Sequence, residues 1–286
     1  MQKNKHIIYT TAFACLATGG LVLAATAKTV DDDVIAKQRD MLAQSTDGAG
    51  FGPQSPRDIG QVDGTNTRSF AAAPAYTEMN LCNIHFHENA EHNGGDFSKY
   101  AGNGDGKGNA TGFVYSGDLS EAELKPVGRE IGAGKHGTLE PGDTIELHYV
   151  HTTAQITPGP TLGACLSEAI GNPQLRVETQ VYVLVNDPSA GDFVALTEVA
   201  EVNGCHQAVN IPTDSGEPVQ YSGSTTGPSY NEKGSPFQVS WSVRPGVVKV
   251  DIGSVEKWLA DNIFDEKGAH GVRNLVTNPA LLSPIN

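Results

Sequence analysis

The chain has 286 residues, of which 18% are charged, and its formal net charge is −14 at pH 7. A protein this acidic is repelled by nucleic acid and by anionic membrane surfaces, so we expect neither as a partner. The length allows one large domain or two modest ones, and the absence of any internal repeat in the sequence favours one.

The first 27 residues have the pattern of a secretory signal peptide. Lys3 and Lys5 form a basic start, a long apolar run follows, and Ala25-Thr26-Ala27 resembles a signal-peptidase site. A transmembrane anchor is the alternative, but a glycine pair interrupts the run and no later segment is apolar enough to span a bilayer. We therefore expect an exported protein, periplasmic or secreted, with no stable membrane insertion after cleavage.

Residues 28–72 have a composition that rarely builds a hydrophobic core. They are rich in Asp, Gly, Gln and Ser and lack a sustained apolar period. We expect a flexible N-terminal arm or linker here, with a short helix over DDVIAKQRDMLAQ. Residues 73–286 would then form the folded domain.

From about Tyr76 the sequence predicts a mainly β domain. Short runs rich in Val, Ile, Tyr, Phe and Thr are separated by Gly, Pro, Asn and Asp. The clearest runs are LCNIHFH, TGFVYSG, DTIELHYVHTT, LRVETQVYVLVND, FVALTEVAEV, FQVSWSV and GVVKVDIG. Only VEKWLADNIFDE has a helical spacing. We therefore expect a single domain with a twisted, largely antiparallel central sheet and few short helices.

Three cysteines remain once the first 27 residues are removed, namely Cys82, Cys165 and Cys205. In an oxidising compartment two of them should form a disulfide, and the third should stay free or link two chains. A Cys165–Cys205 bond is the preferred prediction, because both residues lie in glycine-flanked stretches. A Cys82–Cys205 bond is the alternative.

Two histidines one residue apart on a predicted strand indicate a metal site. In NLCNIHFHENAEH, alternation places His85 and His87 on one face, roughly 7 Å apart along the backbone. The strand DTIELHYVHTT supplies His148 in the same phase as Glu146, whereas His151 points to the other face. If the two strands are neighbours, three imidazoles can bind one ion and leave the fourth tetrahedral position open, as in catalytic zinc sites.

These motifs resemble those of the carbonic anhydrases. HFH followed by ELHYVH matches the zinc-site pattern of the α-class, and NLC, LHYVHTT, TPGPTLGAC and LRVETQVYVLVND are more similar to the δ-class and its relatives. The resemblance covers about residues 76–190. It implies an α-carbonic-anhydrase-like fold and a zinc enzyme whose metal-bound hydroxide hydrates CO₂ reversibly to bicarbonate and a proton. Co²⁺ or Cd²⁺ could replace Zn²⁺ in such a site.

The resemblance also implies roles for individual residues. The implied zinc ligands are His85, His87 and His148. Glu146 matches the acid that accepts the far N–H of the third ligand, and Asn83 matches the residue that orients the first. Val150 falls where the family places part of an apolar wall for CO₂.

Members of the family further use a threonine–glutamate pair to orient the nucleophile and a mobile histidine to export protons. Glu91 is similar to the family's acid. Thr161 is the best candidate for the hydroxyl, and its competitors are Thr152, Thr153 and Thr157. His92 is the first choice for the proton shuttle by its proximity in sequence, ahead of His136 and His206.

Two other functions fit the same histidines. A cupin would read HFHENAE as H-x-H-x3-E, with Glu91 as a fourth ligand to iron, manganese or zinc, but the glycine that cupins place six residues earlier is Met79 here. The second alternative is an exported zinc-binding or carbohydrate-binding domain without activity. Three nitrogen ligands without Glu91 would argue against the cupin, and an unreactive metal-bound water would identify the inactive domain.

Overall fold

The computed structural model describes residues 29–61, 63–68 and 70–285, so the predicted signal peptide lies outside the described residues. The α-helices are α1 (Asp32–Thr46), α2 (Phe193–Leu196) and α3 (Ile252–Ala260). The β-strands are β1 (Asn80–Glu88), β2 (Lys99–Asn103), β3 (Thr111–Val114), β4 (Ile131–Gly134), β5 (Gly137–Leu139), β6 (Thr144–Thr152), β7 (Leu175–Val185), β8 (Val199–Val202), β9 (Cys205–Ala208), β10 (Val219–Ser224) and β11 (Gln238–Asp251). Across these ranges, no helix has both the length and the apolar character needed to cross a membrane.

Five strands form the central sheet, in the order β1-β6-β7-β11-β10. The pairs β1–β6, β6–β7 and β10–β11 are antiparallel, whereas β7 and β11 are parallel. A parallel pair needs a long crossover connection, which residues 186–237 supply. The prediction of a mainly β domain with a largely antiparallel central sheet is confirmed, with this one parallel pair making the sheet mixed.

Alternation along β6 separates two hydrophobic cores. Every residue of β6 is buried, because the strand lies inside the sheet between β1 and β7. Ile145, Leu147 and Tyr149 pack on one face, in the core that also contains the helix α3. Val150 packs on the other face with Trp241 of β11. The predicted ligand His148 is in phase with Val150 and therefore lies on this second face.

The residues before β1 pack more closely than the flexible arm predicted for 28–72. The predicted short helix is present as α1. Its Leu42 is buried against Val276, Leu281 and Leu282, near the end of the chain. The apolar face of α1 is therefore covered by the C-terminal segment.

Polar contacts hold the segment that follows α1. Arg57 is completely buried, and its guanidinium donates hydrogen bonds to the main-chain carbonyls of Asp58, Gln61 and Ser283. Contacts of this kind, in which a polar side chain donates to main-chain carbonyls, cannot be recognised from the hydrophobicity of a segment. The polar composition therefore predicted a loose arm where the structure has an ordered one.

A disulfide joins Cys82 of β1 to Cys165, which ends a 3-10 turn (Leu162–Cys165), with a Cα–Cα distance of 5.0 Å. The predicted Cys165–Cys205 bond and its Cys82–Cys205 alternative are both wrong. The chain after β6 returns along β1, where the Gly159 N–H donates to the Cys82 carbonyl at 3.0 Å, and this brings Cys165 to Cys82. Cys205 lies half-buried in the β8–β9 hairpin and has no disulfide partner among the described residues.

Candidate metal centre

Three imidazoles meet on one face of the β1–β6 pair. The antiparallel register places His85 opposite His148. The ring centroids of His85 and His87 are 5.3 Å apart, and those rings lie 5.1 Å and 4.7 Å from the ring of His148. One ring nitrogen from each residue lies within 4.8 Å of the other two, a group that could hold a metal ion.

Hydrogen bonds set which nitrogen of each β1 histidine faces the centre. Nδ1 of His85 donates to Oδ1 of Asn83 at 2.7 Å, and Nδ1 of His87 donates to the carbonyl of Gly271 at 3.0 Å. Both rings therefore keep an unprotonated Nε2, the form that binds a metal. Asn83 is the residue that the resemblance paired with the first ligand. Gly271 could not be found from the sequence, because a main-chain carbonyl contact leaves no signature in residue type.

Glu146 is the acid behind the third histidine. It is completely buried, and its Oε1 accepts 2.7 Å hydrogen bonds from Nε2 of His148 and Nδ1 of His92. Burial raises the pKa of this carboxyl, but the His92 charge and the hydrogen bonds from both histidines outweigh it. The pKa of Glu146 therefore lies well below its usual range. A carboxylate at this position leaves Nδ1 of His148 free to face the centre.

The donor set fits a metal such as zinc. Nε2 of His87 is buried and has no hydrogen-bond partner in the described part of the chain. Such an unpaired polar atom is costly unless something fills its place. Burial also lowers the pKa of His85 and of His87, which keeps both rings in the neutral form that a metal requires. Three neutral imidazoles are a ligand set typical of catalytic Zn²⁺.

His92 lies in the interior rather than at the mouth of the site. It is completely buried, with Nδ1 bonded to Glu146 and Nε2 only 2.7 Å from the hydroxyl of Tyr221. The same hydroxyl donates to Ser55 at 3.2 Å. A buried ring with both nitrogens engaged cannot exchange protons with solvent, which contradicts the proton-shuttle prediction. His92 is instead one link in a chain of hydrogen bonds that ends at Glu146.

A histidine that the sequence analysis missed lies at the mouth. The His270 ring is 5.5 Å from that of His85 and 5.9 Å from that of His87, and its side chain is 48% exposed. Nε2 of His270 donates to Glu266 at 2.7 Å, and this bond raises the pKa of His270 although partial burial lowers it. His270 was missed because it lies far along the chain from the HFH motif. The other two shuttle candidates, His136 and His206, do not line this cavity.

A cavity of about 320 Å³ opens beside the three histidines. One wall is apolar and consists of Val150, Leu175, Val177, Val239 and Trp241. Val150, the residue that the resemblance assigned to an apolar wall, is one of these lining residues. The remaining wall residues come from β7 and β11, whose position beside β6 depends on the sheet order and could not be deduced from the sequence.

Glu91 lies beneath the histidines and is buried. Its Oε1 accepts the main-chain N–H of Arg273 at 2.8 Å and lies 3.8 Å from Nδ1 of His87. Its Oε2 has no hydrogen-bond partner within the described ranges. Glu91 is not part of the three-histidine group, as the cupin alternative would require of a fourth ligand.

Three threonines line the cavity. Thr161, the predicted hydroxyl, is there, but it is exposed and its Oγ1 accepts the N–H of Gly163 at 3.2 Å. Thr225 and Thr226 follow β10 and line the cavity from another side. Neither threonine was predicted from the sequence; the stretch STTGP between two predicted strands is the signal that could have revealed them. Thr152, a predicted competitor, is buried and donates to the carbonyl of Cys165.

The protein has a mainly β fold with a three-histidine centre, a buried acid behind one histidine and an apolar cavity wall. These features are typical of a metalloenzyme. The family model described as Delta carbonic anhydrase matches residues 76–254. The chain therefore belongs to the delta carbonic anhydrase family, which confirms the resemblance seen in the sequence and the enzyme class that it implied.

The chain is also similar to solved carbonic anhydrase structures. The Photobacterium profundum alpha-carbonic anhydrase matches at 16% identity over 86% of this chain and 95% of that chain, with a TM-score of 0.28. A hyperthermostable carbonic anhydrase from an active hydrothermal vent chimney matches at 14% identity, 82% and 86% coverage, and a TM-score of 0.29. The Thermovibrio ammonificans alpha-carbonic anhydrase, in complex with the inhibitor sulfanilamide, matches at 16% identity, 78% and 84% coverage, and a TM-score of 0.28. No curated protein matches the chain.

Proposed function

We propose that the protein is a zinc-dependent carbonic anhydrase that hydrates CO₂ reversibly, with His85, His87 and His148 as the metal ligands. The observation that carries this proposal concerns Nε2 of His87, which is buried and has no hydrogen-bond partner among the described residues. It lies beside the other two imidazoles in a chain of the carbonic anhydrase family. Zinc bound there would act as a Lewis acid and lower the pKa of a water molecule to about 7.

The protein's contribution is to hold the three donor nitrogens in fixed directions. Asn83, Gly271 and Glu146 each accept the N–H that points away from the centre. These acceptors fix the tautomer and the rotation of each ring, so little reorganisation is needed when a metal binds. We therefore assign them as residues that position the ligands.

The apolar wall suits the substrate. CO₂ is small, neutral and nonpolar, and the cavity beside the histidines presents Val150, Val177 and Trp241. Apolar side chains exclude water from that side and leave the polar histidines as the place where charge can develop. Val150 is assigned to this substrate pocket, as the resemblance implied.

Glu91 and a threonine are the candidates for a hydrogen-bonded pair that orients the nucleophile. Oε2 of Glu91 has no hydrogen-bond partner among the described residues and can accept a hydrogen bond from a hydroxyl. Among the cavity threonines, Thr225 already shares its hydroxyl with Ser235 at 2.5 Å, and Thr161 accepts from a main-chain N–H. Thr226 is therefore the first hydroxyl to test, and Thr161 is the competing choice.

Export of the protein is part of the proposal. The buried Cys82–Cys165 disulfide is consistent with folding in an oxidising compartment. We expect the mature protein to lack the first 27 residues and to be periplasmic or secreted. Mass spectrometry of the protein recovered outside the cytoplasm would show whether cleavage follows Ala27.

The test is stopped-flow CO₂ hydration by the purified protein, with metal content measured on the same sample. Rapid hydration that chelation abolishes and Zn²⁺ restores is the expected result. One tightly bound zinc without hydration would instead identify the inactive binding domain. Bound iron or manganese without hydration would favour the cupin chemistry, in which Glu91 joins the histidines.

A further inference from the structure

The chain that follows β6 folds back along β1 and forms part of the cavity wall. We call residues 153–166 the returning loop. The N–H of Gly159 donates to the carbonyl of Cys82 at 3.0 Å, and the disulfide attaches Cys165 to the same residue of β1. Between these two attachments lie the cavity residues Thr161 and Leu162.

The returning loop also contacts the residue that orients the first histidine. Nδ2 of Asn83 donates to the carbonyl of Gly159 at 3.0 Å, and this bond is buried. An amide has one donor end and one acceptor end, so the contact with Gly159 turns Oδ1 of Asn83 toward Nδ1 of His85. The position of the Gly159 carbonyl therefore decides which nitrogen of His85 carries the proton.

Few main-chain bonds can hold Gly159 in place. It lies between Pro158 and Pro160, which have no main-chain N–H to donate. The N–H of Gly159 is therefore the one main-chain donor among these three residues. The covalent bond at Cys165 is the next attachment, and the hydroxyl of Thr152 supports it by donating to the Cys165 carbonyl at 2.8 Å.

We propose that the Cys82–Cys165 disulfide is a positioning element of the metal centre. It holds the returning loop so that the Gly159 carbonyl orients Asn83 and, through it, His85. Without the bond, the Asn83 amide would lose its fixed orientation and the metal would dissociate faster. This inference rests on the proposed function for the identity of the ligands.

The experiment measures zinc release from the loaded protein into excess 4-(2-pyridylazo)resorcinol, followed by the absorbance of the dye–zinc complex. The variant carries Cys82→Ser and Cys165→Ser together, so that no new free thiol is created. We expect release to be about 10-fold faster, the lower end of the effect of removing an outer partner of a metal ligand. Cys205→Ser removes a cysteine that lies outside this disulfide and is the matched control, with release unchanged.

A double-mutant cycle separates positioning from general stabilisation. Asn83→Ala alone should also speed release by about 10-fold, because it removes the acceptor for His85. If the disulfide acts through Asn83, the variant that combines both changes should release zinc little faster than the disulfide variant or Asn83→Ala alone. Multiplied effects, or unchanged release in the disulfide variant, would overturn the proposal.

A second variant covers the case in which the disulfide variant fails to fold, which circular dichroism would show. Thr152→Val keeps the disulfide and removes the hydroxyl that holds the Cys165 carbonyl. Release should then be about three-fold faster, the effect of one lost hydrogen bond, and an unchanged rate would overturn the proposal. The readout needs no turnover, so a protein that retains zinc but fails to hydrate CO₂ would refute the proposed function and leave this test intact.

Discussion

Nε2 of His148 donates a 2.7 Å hydrogen bond to Oε1 of Glu146, a carboxylate that the protein buries completely. His85 and His87 instead donate through Nδ1. Two rings therefore present Nε2 to the centre and the third presents Nδ1. This mixed arrangement follows from the position of each acceptor, which lies on β1, in the C-terminal segment or on β6.

Glu146→Gln should weaken zinc binding by about 10- to 100-fold while the protein stays folded. Glutamine keeps the size of the side chain but removes the charge. Oε1 of Glu146 accepts both ring N–H groups and Oε2 accepts the main-chain N–H of His92 at 3.1 Å, so the glutamine NH₂ faces an N–H donor in either orientation. Competition with a chelator of known affinity would measure the change. Glu201→Gln, at an exposed position in β8, is the control and should bind zinc like the parent. Equal affinity in both variants would contradict the role assigned to Glu146.

His148→Ala should abolish CO₂ hydration and most zinc affinity, because one of the three donors in the site is lost. His206→Ala is the matched control, since His206 is half-buried in β9 and does not line the cavity. Stopped-flow hydration and metal analysis would be made on both variants. Full activity in His148→Ala would refute the ligand assignment.

Tyr221→Phe should lower the free energy of unfolding by about 1–2 kcal/mol, since it leaves the buried Nε2 of His92 without its partner. Urea denaturation of the metal-free protein would measure the change. Tyr100→Phe is the control, because the Tyr100 hydroxyl bonds Asn103 at the surface. If the two variants unfold at the same urea concentration, the chain of hydrogen bonds through His92 contributes no stability.

His151 should make the protein sensitive to acid. It lies on the opposite face from His148, as the sequence predicted, and burial lowers the pKa of His151 to about 3 despite its bond to the Tyr149 carbonyl. A depressed folded-state pKa means that its contribution to stability is complete above pH 6.5 and is lost as the pH falls toward 3. The loss at pH 5 should be about 2 kcal/mol, since each pKa unit corresponds to about 1.4 kcal/mol.

The variant His151→Phe keeps a ring beside Tyr76 and cannot titrate. Its unfolding free energy should therefore fall less than that of the parent between pH 6.5 and pH 5. The substitution His136→Phe changes an exposed histidine and should leave the parent's pH dependence intact. Parallel pH curves for the parent and His151→Phe would show that His151 is not the acid-sensitive group.

Features that depend on local pattern could be predicted from the sequence. Period-2 alternation placed the side chains of His85 and His87 on one face of a strand, and the run of β-branched residues indicated a mainly β fold. The family was also recognisable, because its motifs are short and lie on adjacent strands. The position of α1 followed from helical composition alone.

Features that depend on distant pairing could not. The direction of β11 relative to β7 is set by the path of the residues between them, which no local pattern encodes. Flanking glycines carry no information on the distance between two loops. They therefore favoured a bond between Cys165 and Cys205, whereas the fold brings Cys165 to Cys82. His92 lies close to HFH in sequence, but its ring lies between Glu146 and Tyr221 in the interior.

The bond from His87 to the Gly271 carbonyl ties a ligand on β1 to a segment near the other end of the chain. No fragment ending before Gly271 would contain the complete site, so an ion that binds it selects the fully folded chain. Under the proposed function, zinc at 100 times its Kd would raise the free energy of unfolding by about 2.7 kcal/mol. The survival of the protein against proteases would then follow the zinc concentration around it, independently of any need for catalysis.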